Sequence, residues 1–265
     1  MDGRKKAKRR RGELTAHSAP GWLRINKVDP ALLATGFDRI EEFFERLGGS
    51  QQPRPEVARW EDVMIEKEMP AHASVLDLGC GDGTLLRRLM DAKKVHGQGV
   101  ENDPTNIGLC VEKGVPVFQI DLDEGLRRLP DDQYDYVVLE ETLQTLKRPV
   151  EILREMLRVG KRGVVSFPNF GYWRVRLDLL VRGRMPKTEW LPYQWHDTPN
   201  IHIFTLQDFF DWAEEEGVRI VKGYVLREGV VDLLDTEGDN FHAEEILLIV
   251  ERAGAEDVPS PRRKS

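Results

Sequence analysis

The stretch Asp77-Leu78-Gly79-Cys80-Gly81-Asp82-Gly83 has the residue types and spacing of a ligand-binding turn. Its three glycines permit positive φ and let a ligand come close to the main chain. The apolar run at 75–78 and the striped segment 84–90, with Leu85, Leu86, Leu89 and Met90 on one face, read as a strand entering a helix. That helix would point its free N–H groups and positive dipole end at the turn. A dinucleotide turn asks for G-x-G-x-x-G, but Thr84 stands at the third glycine position. Asp77 precedes the first glycine by two residues. An anion there disfavours a pyrophosphate and favours an ammonium group. Glu101 ends the next strand about twenty residues on, where a carboxylate can accept hydrogen bonds from ribose hydroxyls. Asp121 ends the third strand and can accept from an adenine amino group.

An ammonium, a ribose and an adenine together describe S-adenosylmethionine, or S-adenosylhomocysteine. Thr84 and Asp77 argue against a nicotinamide cofactor. A sulfonium methyl group is already activated, so transfer needs mainly proximity and orientation, and no catalytic residue is singled out. His196 and His202 are possible acid–base groups, although such histidines are more often structural. No Cys/His cluster has metal-ligand spacing.

The elements that position these residues alternate. Strands are expected at 75–78, 95–100, 115–120, 136–139, 163–167, 218–226 and 246–250. Asp103-Pro104 opens a helix with an N-cap and a first-turn proline, and Gly114 closes it. Ile152, Leu153, Met156 and Leu157 stripe another helix. Thr205-Leu206-Gln207-Asp208 resembles a capping box ahead of Phe209, Phe210 and Ala213. The alternation predicts an α/β fold, a parallel sheet with helices on both faces. Residues 172–204 are too long for an ordinary connection between elements. They hold Trp173, Trp190 and Trp195 together with Arg174, Arg176, Arg182, Arg184 and Lys187, and suit a lid or docking surface.

Composition sets the outer bounds. With 40% hydrophobic and 32% charged residues, the 265-residue chain is of the soluble globular class. No apolar run reaches the roughly 18 residues that span a bilayer. Two cysteines, Cys80 and Cys110, make no disulfide framework, and the expected setting is the cytoplasm. Residues 4–11 carry seven cations, without which the formal charge of −7 becomes −14. The basic stretch reads as a solvated arm. No aromatic residue interrupts it, so nucleic acid is an unlikely partner. The expected organisation is a basic tail at 1–20, a helical extension and linker at 21–55, a cofactor-binding domain at 56–252 and a tail at 253–265. The extension carries Phe37, Ile40, Phe43, Phe44 and Leu47 at helical spacing, ended by Gly48-Gly49-Ser50.

Val75-Leu76-Asp77-Leu78-Gly79-Cys80-Gly81-Asp82-Gly83 resembles the first motif of class I methyltransferases. Further stretches narrow the likeness: Pro130-Asp131-Asp132-Gln133-Tyr134-Asp135-Tyr136-Val137-Val138-Leu139, Thr142-Leu143-Gln144 and Arg154-Glu155-Met156-Leu157-Arg158-Val159-Gly160. Ser166-Phe167-Pro168-Asn169-Phe170-Gly171 and Leu191-Pro192-Tyr193-Gln194-Trp195 add to it. Together, over about 60–226, they resemble the methionine biosynthesis protein MetW family. The resemblance implies a class I methyltransferase, Rossmann-like fold with a mostly parallel seven-stranded sheet and one antiparallel edge strand. It implies a cofactor site made of Asp77, Gly79, Cys80, Gly81, Glu101, Asn102, Asp121, Leu122 and Glu140. It also implies a role beside homoserine O-acyltransferase. Glu140-Glu141 stands where members usually carry a polar pair such as Ser-Gln, which bears on ligand or acceptor preference.

Overall fold

The computed structural model describes residues 59–188, 190–235 and 238–254, all within one compact unit spanning 51–265. The basic arm, the helix expected around Phe37 to Leu47, the linker and the tail from 255 on lie outside the described residues. Helix α1 (Trp60–Glu68) leads into β1 (Ser74–Leu78), α2 (Thr84–Lys93), β2 (His96–Glu101), α3 (Pro104–Glu112) and β3 (Val117–Gln119). Then come β4 (Tyr134–Leu139), α4 (Pro149–Val159), β5 (Gly160–Pro168) and α5 (Trp173–Arg182). The described chain ends with α6 (Leu206–Glu215), β6 (Val218–Arg227), β7 (Val230–Leu233), a short α7 (Asp239–His242) and β8 (Glu245–Arg252).

Eight strands form one sheet in the order β3-β2-β1-β4-β5-β8-β6-β7. β1, β2, β3, β4 and β5 pair in parallel. Alternate side chains point to opposite faces of the sheet. Leu76, Leu78, Val137, Leu139 and Phe167 meet Ile152 and Met156 of α4 and Leu206 and Phe209 of α6 on one face. Val75, Tyr136, Val138 and Val164 meet Ile65 of α1, Leu86 and Leu89 of α2 and Cys110 of α3 on the other. Asp77 lies in the run of this second face, in a position that the strand otherwise gives to Val75.

The sheet has one strand more than expected, and its antiparallel strand is not confined to the edge. β8 lies between β5 and β6 and pairs antiparallel to both, with Val164 opposite Ile249 and Tyr224 opposite Leu247. A second reversed strand, β7, forms the edge beyond β6. It escapes sequence reading because its turn is Glu228-Gly229 rather than Asn-Gly. Both residues nevertheless take positive φ, 47° and 81°, as a type I′ hairpin turn requires. Helix α1 was also unexpected, because Glu61 and Asp62 occupy buried positions and blur its amphipathic pattern. The Thr205–Asp208 capping box and the Asp103 N-cap are both formed. Among the described residues no helix is long and apolar enough to cross a membrane.

Candidate functional site

The turn after β1 is drawn against the end of β2. Gly79 N and Cys80 N both donate to the Val100 carbonyl, at 2.8 and 3.0 Å. Gly79 has φ 77°, and a Cβ there would lie 2.8 Å from Thr142 Oγ1, so the position admits no side chain. Gly81 has φ 53°, and no atom lies within 4 Å of where its Cβ would be. The main chain is therefore open to close approach at Gly81.

Glu101 organises this opening. Its Oε2 accepts from Gly81 N at 2.9 Å, and its Oε1 accepts from Asn102 N at 2.7 Å and Asp103 N at 2.9 Å. Oε1 is thereby filled, and Oε2 keeps one lone pair for a further donor. Cys80 turns its side chain inward, 8% exposed and 3.9 Å from Cys110 Sγ, and burial pushes its thiol up. Cys80 can therefore offer a ligand only its main chain. Leu122 is likewise buried in the core, whereas Asn102 is exposed. Asp121 caps a single 3-10 turn, accepting from Asp123 N at 2.9 Å, which commits one of its oxygens locally.

Two acidic doublets face one another across the end of the sheet. Glu61-Asp62 opens α1, and Glu140-Glu141 follows β4. Consecutive residues in each doublet point to different neighbourhoods. Asp62 lies beside Glu140, and both sit near Asp77. Burial raises all three carboxyls, with Asp77 pushed up to about 7; Asp62 and Glu101 add to that rise and Arg59 opposes it. Arg59 Nη2 stands 3.5 Å from Glu140 Oε1, and Arg88 also acts on Asp62.

The other members of the doublets meet a third acid. Glu61, Glu141 and Glu245, the first residue of β8, present carboxylate oxygens that all lie within 4.8 Å of one another. Trp60 Nε1 donates to Glu245 Oε2 at 2.5 Å, and burial, with the Glu61 charge adding, raises the Glu245 carboxyl. Burial pushes Glu141 up to about 7, with the Glu61 charge adding and Arg59 opposing. Glu141 takes φ 51°, and its main-chain N–H donates to Ser166 Oγ at 3.1 Å. A cavity of about 340 Å³ opens over the three acids, walled also by Gln144, Trp190 and Tyr193.

The structure thus gathers the expected Asp77, Gly79, Gly81, Glu101 and Glu140 at the carboxyl ends of β1, β2 and β4. Asp121 and Leu122 follow β3, the neighbour of β2. His196 and His202 do not line the acidic cavity. Sequence reasoning missed Arg59, Glu61, Asp62 and Glu245. One available signal was a set of acidic doublets, Glu61-Asp62, Glu140-Glu141 and Glu244-Glu245, each set against an apolar strand or helix.

The chain can now be placed among known proteins. The family model described as methionine biosynthesis protein MetW matches residues 59–250. A relative from Rhodopirellula baltica, the bifunctional methionine biosynthesis protein MetXA/MetW, is 41% identical over 160 residues, covering 57% of this chain and 26% of that protein. The chain therefore spans about a quarter of that relative's length. Among solved structures, a Thermotoga maritima protein described as a SAM-dependent methyltransferase, possible histamine N-methyltransferase, aligns with TM-score 0.55 and 16% identity. It covers 83% of this chain and 99% of its own. A SAM-dependent methyltransferase from Archaeoglobus fulgidus aligns with TM-score 0.53 and 18% identity, covering 80% and 99%. At these identities the solved structures establish the class I methyltransferase fold. The match across nearly all the described residues establishes more: this chain belongs to the MetW family of methionine biosynthesis proteins.

Proposed function

We propose that the chain binds S-adenosylmethionine or S-adenosylhomocysteine at the turn after β1 and acts in methionine biosynthesis beside homoserine O-acyltransferase, in the cytoplasm. The observation that carries the cofactor reading is the junction of Gly81 and Glu101. The open approach at Gly81 lies against a carboxylate whose Oε2 keeps a lone pair suited to a ribose hydroxyl. Asp77 and Glu140 are buried acids raised by that burial, which a ligand ammonium would relieve. The residues present therefore fit this cofactor. S-adenosylmethionine, when bound, supplies a sulfonium-activated methyl group. The chain's part would be to bind and orient. Glu101 would hold the ribose, Asp77 and Glu140 the ammonium, and Gly79, Cys80, Gly81, Asn102 and Leu122 would shape the cleft through their main chain. Asp121 would reach the adenine amino group with the oxygen that its cap leaves over.

The partnership rests on the fused relative, whose name joins MetXA and MetW in one protein. Fusion holds two activities at high effective concentration, which is of use when they act on one another. Residues 172–204 would receive the partner as a lid or docking face. A second reading, an active methyltransferase on a small molecule, is favoured by the cavity that adjoins the cofactor site through Glu140-Glu141.

Calorimetry tests the cofactor reading. S-adenosylhomocysteine should bind and NAD should not. Glu101→Ala should weaken binding roughly 10- to 150-fold, the worth of about 1.5–3 kcal/mol for hydrogen bonds to a charged group. It should also lower the melting temperature of the free protein, because three main-chain N–H groups lose their acceptor. An unchanged dissociation constant would remove Glu101 from the site. Turnover of S-adenosylmethionine by the purified chain, measured with and without homoserine O-acyltransferase, separates the two functional readings.

A further inference from the structure

Asp77 is an acid that the fold leaves without a partner. It is 3% exposed, and among the described residues no donor meets its carboxylate. Neither carboxylate oxygen is sealed from solvent, so both stay open to a ligand. The charges of Asp62 and Glu101 both act on it. It therefore joins the acids at the ends of α1 and β4 to the carboxylate that Gly81 meets. A buried carboxylate without a donor costs free energy that a bound cation recovers.

The acids here outnumber what one ammonium can balance. Asp62, Glu101 and Glu140 stand with Asp77 at this end of the sheet. Glu140 Oε1 is buried with no hydrogen-bond partner, and Arg59 reaches it only at 3.5 Å. The cations acting on the group are already shared. Arg59 is half-exposed and also stands 3.9 Å from Glu61, and Arg88 pairs with Glu66. S-adenosylmethionine and S-adenosylhomocysteine carry the same ammonium and the same carboxylate. They differ at sulfur, where the sulfonium adds one positive charge and the thioether adds none. In a half-buried cleft the attraction between such a charge and nearby carboxylates is far stronger than in water. We propose that this cleft selects by charge, taking S-adenosylmethionine in preference to S-adenosylhomocysteine, with Asp77 and Glu140 as the residues that make the distinction. The inference rests on the cofactor reading above and adds the sulfonium to what the acids recognise. The chain then responds to the methyl donor and is little occupied by the spent cofactor.

The test is calorimetry on the full chain at pH 8, where Asp77 is ionised. Three ligands are compared: S-adenosylmethionine, S-adenosylhomocysteine and sinefungin, in which an amine replaces the methylsulfonium. S-adenosylmethionine and sinefungin should each bind at least tenfold more tightly than S-adenosylhomocysteine. Glu140→Gln keeps the side-chain shape but removes the charge, and should shrink that ratio at least threefold. Should Glu140→Gln fail to fold, Asp62→Asn makes the same comparison. Glu214→Gln removes one charge from the exposed face of α6 and should leave the ratio unchanged. Equal or tighter binding of S-adenosylhomocysteine overturns the proposal and leaves the cofactor reading standing. So does sinefungin binding as weakly as S-adenosylhomocysteine, since selection would then follow the methyl group and not the charge. A ratio untouched by Glu140→Gln overturns it too, because Glu140 would meet only the shared ammonium. A ratio that Glu214→Gln shrinks equally does the same, by showing diffuse attraction to an acidic protein. Binding of none of the three ligands removes the cofactor reading itself, and this inference with it.

Discussion

At the scale of residues, the feature with the widest consequences is the burial of acids beside one another. Asp77 and Glu141 are both held near 7 because burial strips water from their charged forms. In an unfolded chain such groups titrate at about 4. Between those values the folded protein binds protons that the unfolded chain has released. Their contribution to stability is therefore complete below about pH 4 and is lost as the pH rises through 7. The free protein should unfold at lower urea concentration at pH 8 than at pH 5. Glu141→Gln cannot titrate and should shrink that difference by of order 2 kcal/mol. Parallel urea curves at the two pH values are the measurement, and an identical pH difference in the variant would show that Glu141 does not hold a proton. The sequence pointed to Asp77 and Glu101 as candidate site residues, since Asp77 flanks the glycines and Glu101 ends the strand that follows. It did not show Glu61 or Glu245, because their meeting with Glu141 needs three elements separated by most of the domain.

At the scale of elements, the segment after β5 is held by one side chain. Asn169 is 1% exposed. Its Nδ2 donates to the carbonyls of Asp239, Asn240 and Ala243, and its Oδ1 accepts from Gly171 N and Leu206 N. The nearest of the three carbonyls is that of Ala243, at 2.9 Å. One amide thereby ties the end of β5 to α6 and α7, which no neighbour in sequence would reveal. The motif Pro168-Asn169-Phe170-Gly171 thus has a structural cause. Asn169→Asp would set a buried acid against carbonyl oxygens and should cost about 2–3 kcal/mol in chemical denaturation. A loss below 0.5 kcal/mol, on the order of a neutral surface change, would mean that the network carries little. Glu244 plays a related part, accepting from Trp190 Nε1 at 2.5 Å and from Glu228 N at 2.8 Å. It joins the long insertion to the β6–β7 hairpin.

At the scale of the whole molecule, the insertion leaves apolar side chains in water. Leu180 is 75% exposed and Trp195 is 76% exposed, close to Tyr193 at 49% in the chain. Arg174, by contrast, is engaged: it lies over the Trp173 ring at 5.2 Å and faces Glu228 at 3.8 Å. If the insertion receives a partner, Leu180 and Trp195 are the groups free to be buried in the contact, and large aromatic side chains dominate such contacts. The double variant Leu180→Ala with Trp195→Ala should melt within a degree or two of the parent, since both side chains are exposed. It should bind S-adenosylhomocysteine normally and lose at least tenfold in its effect on homoserine O-acyltransferase. Retention of that effect would make the insertion a decoration of the domain.

The sequence by itself determined the α/β class, the strand-to-helix turn at Asp77 to Gly83, and the caps at Asp103 and Thr205. Each of these is written in periodicity or in contacts spanning few residues. Only the tertiary structure decided the rest. The interior antiparallel strand, the edge hairpin on Glu228-Gly229 and the helix at Trp60 depend on pairing partners that local pattern does not name. The acidic cavity depends on three elements converging at the sheet's carboxyl edge, and charge in a sequence carries no sign of which solvent it will lose. Burial, which sets the protonation of Asp77 and Glu141, is a property of packing, so it became legible only once the packing was known.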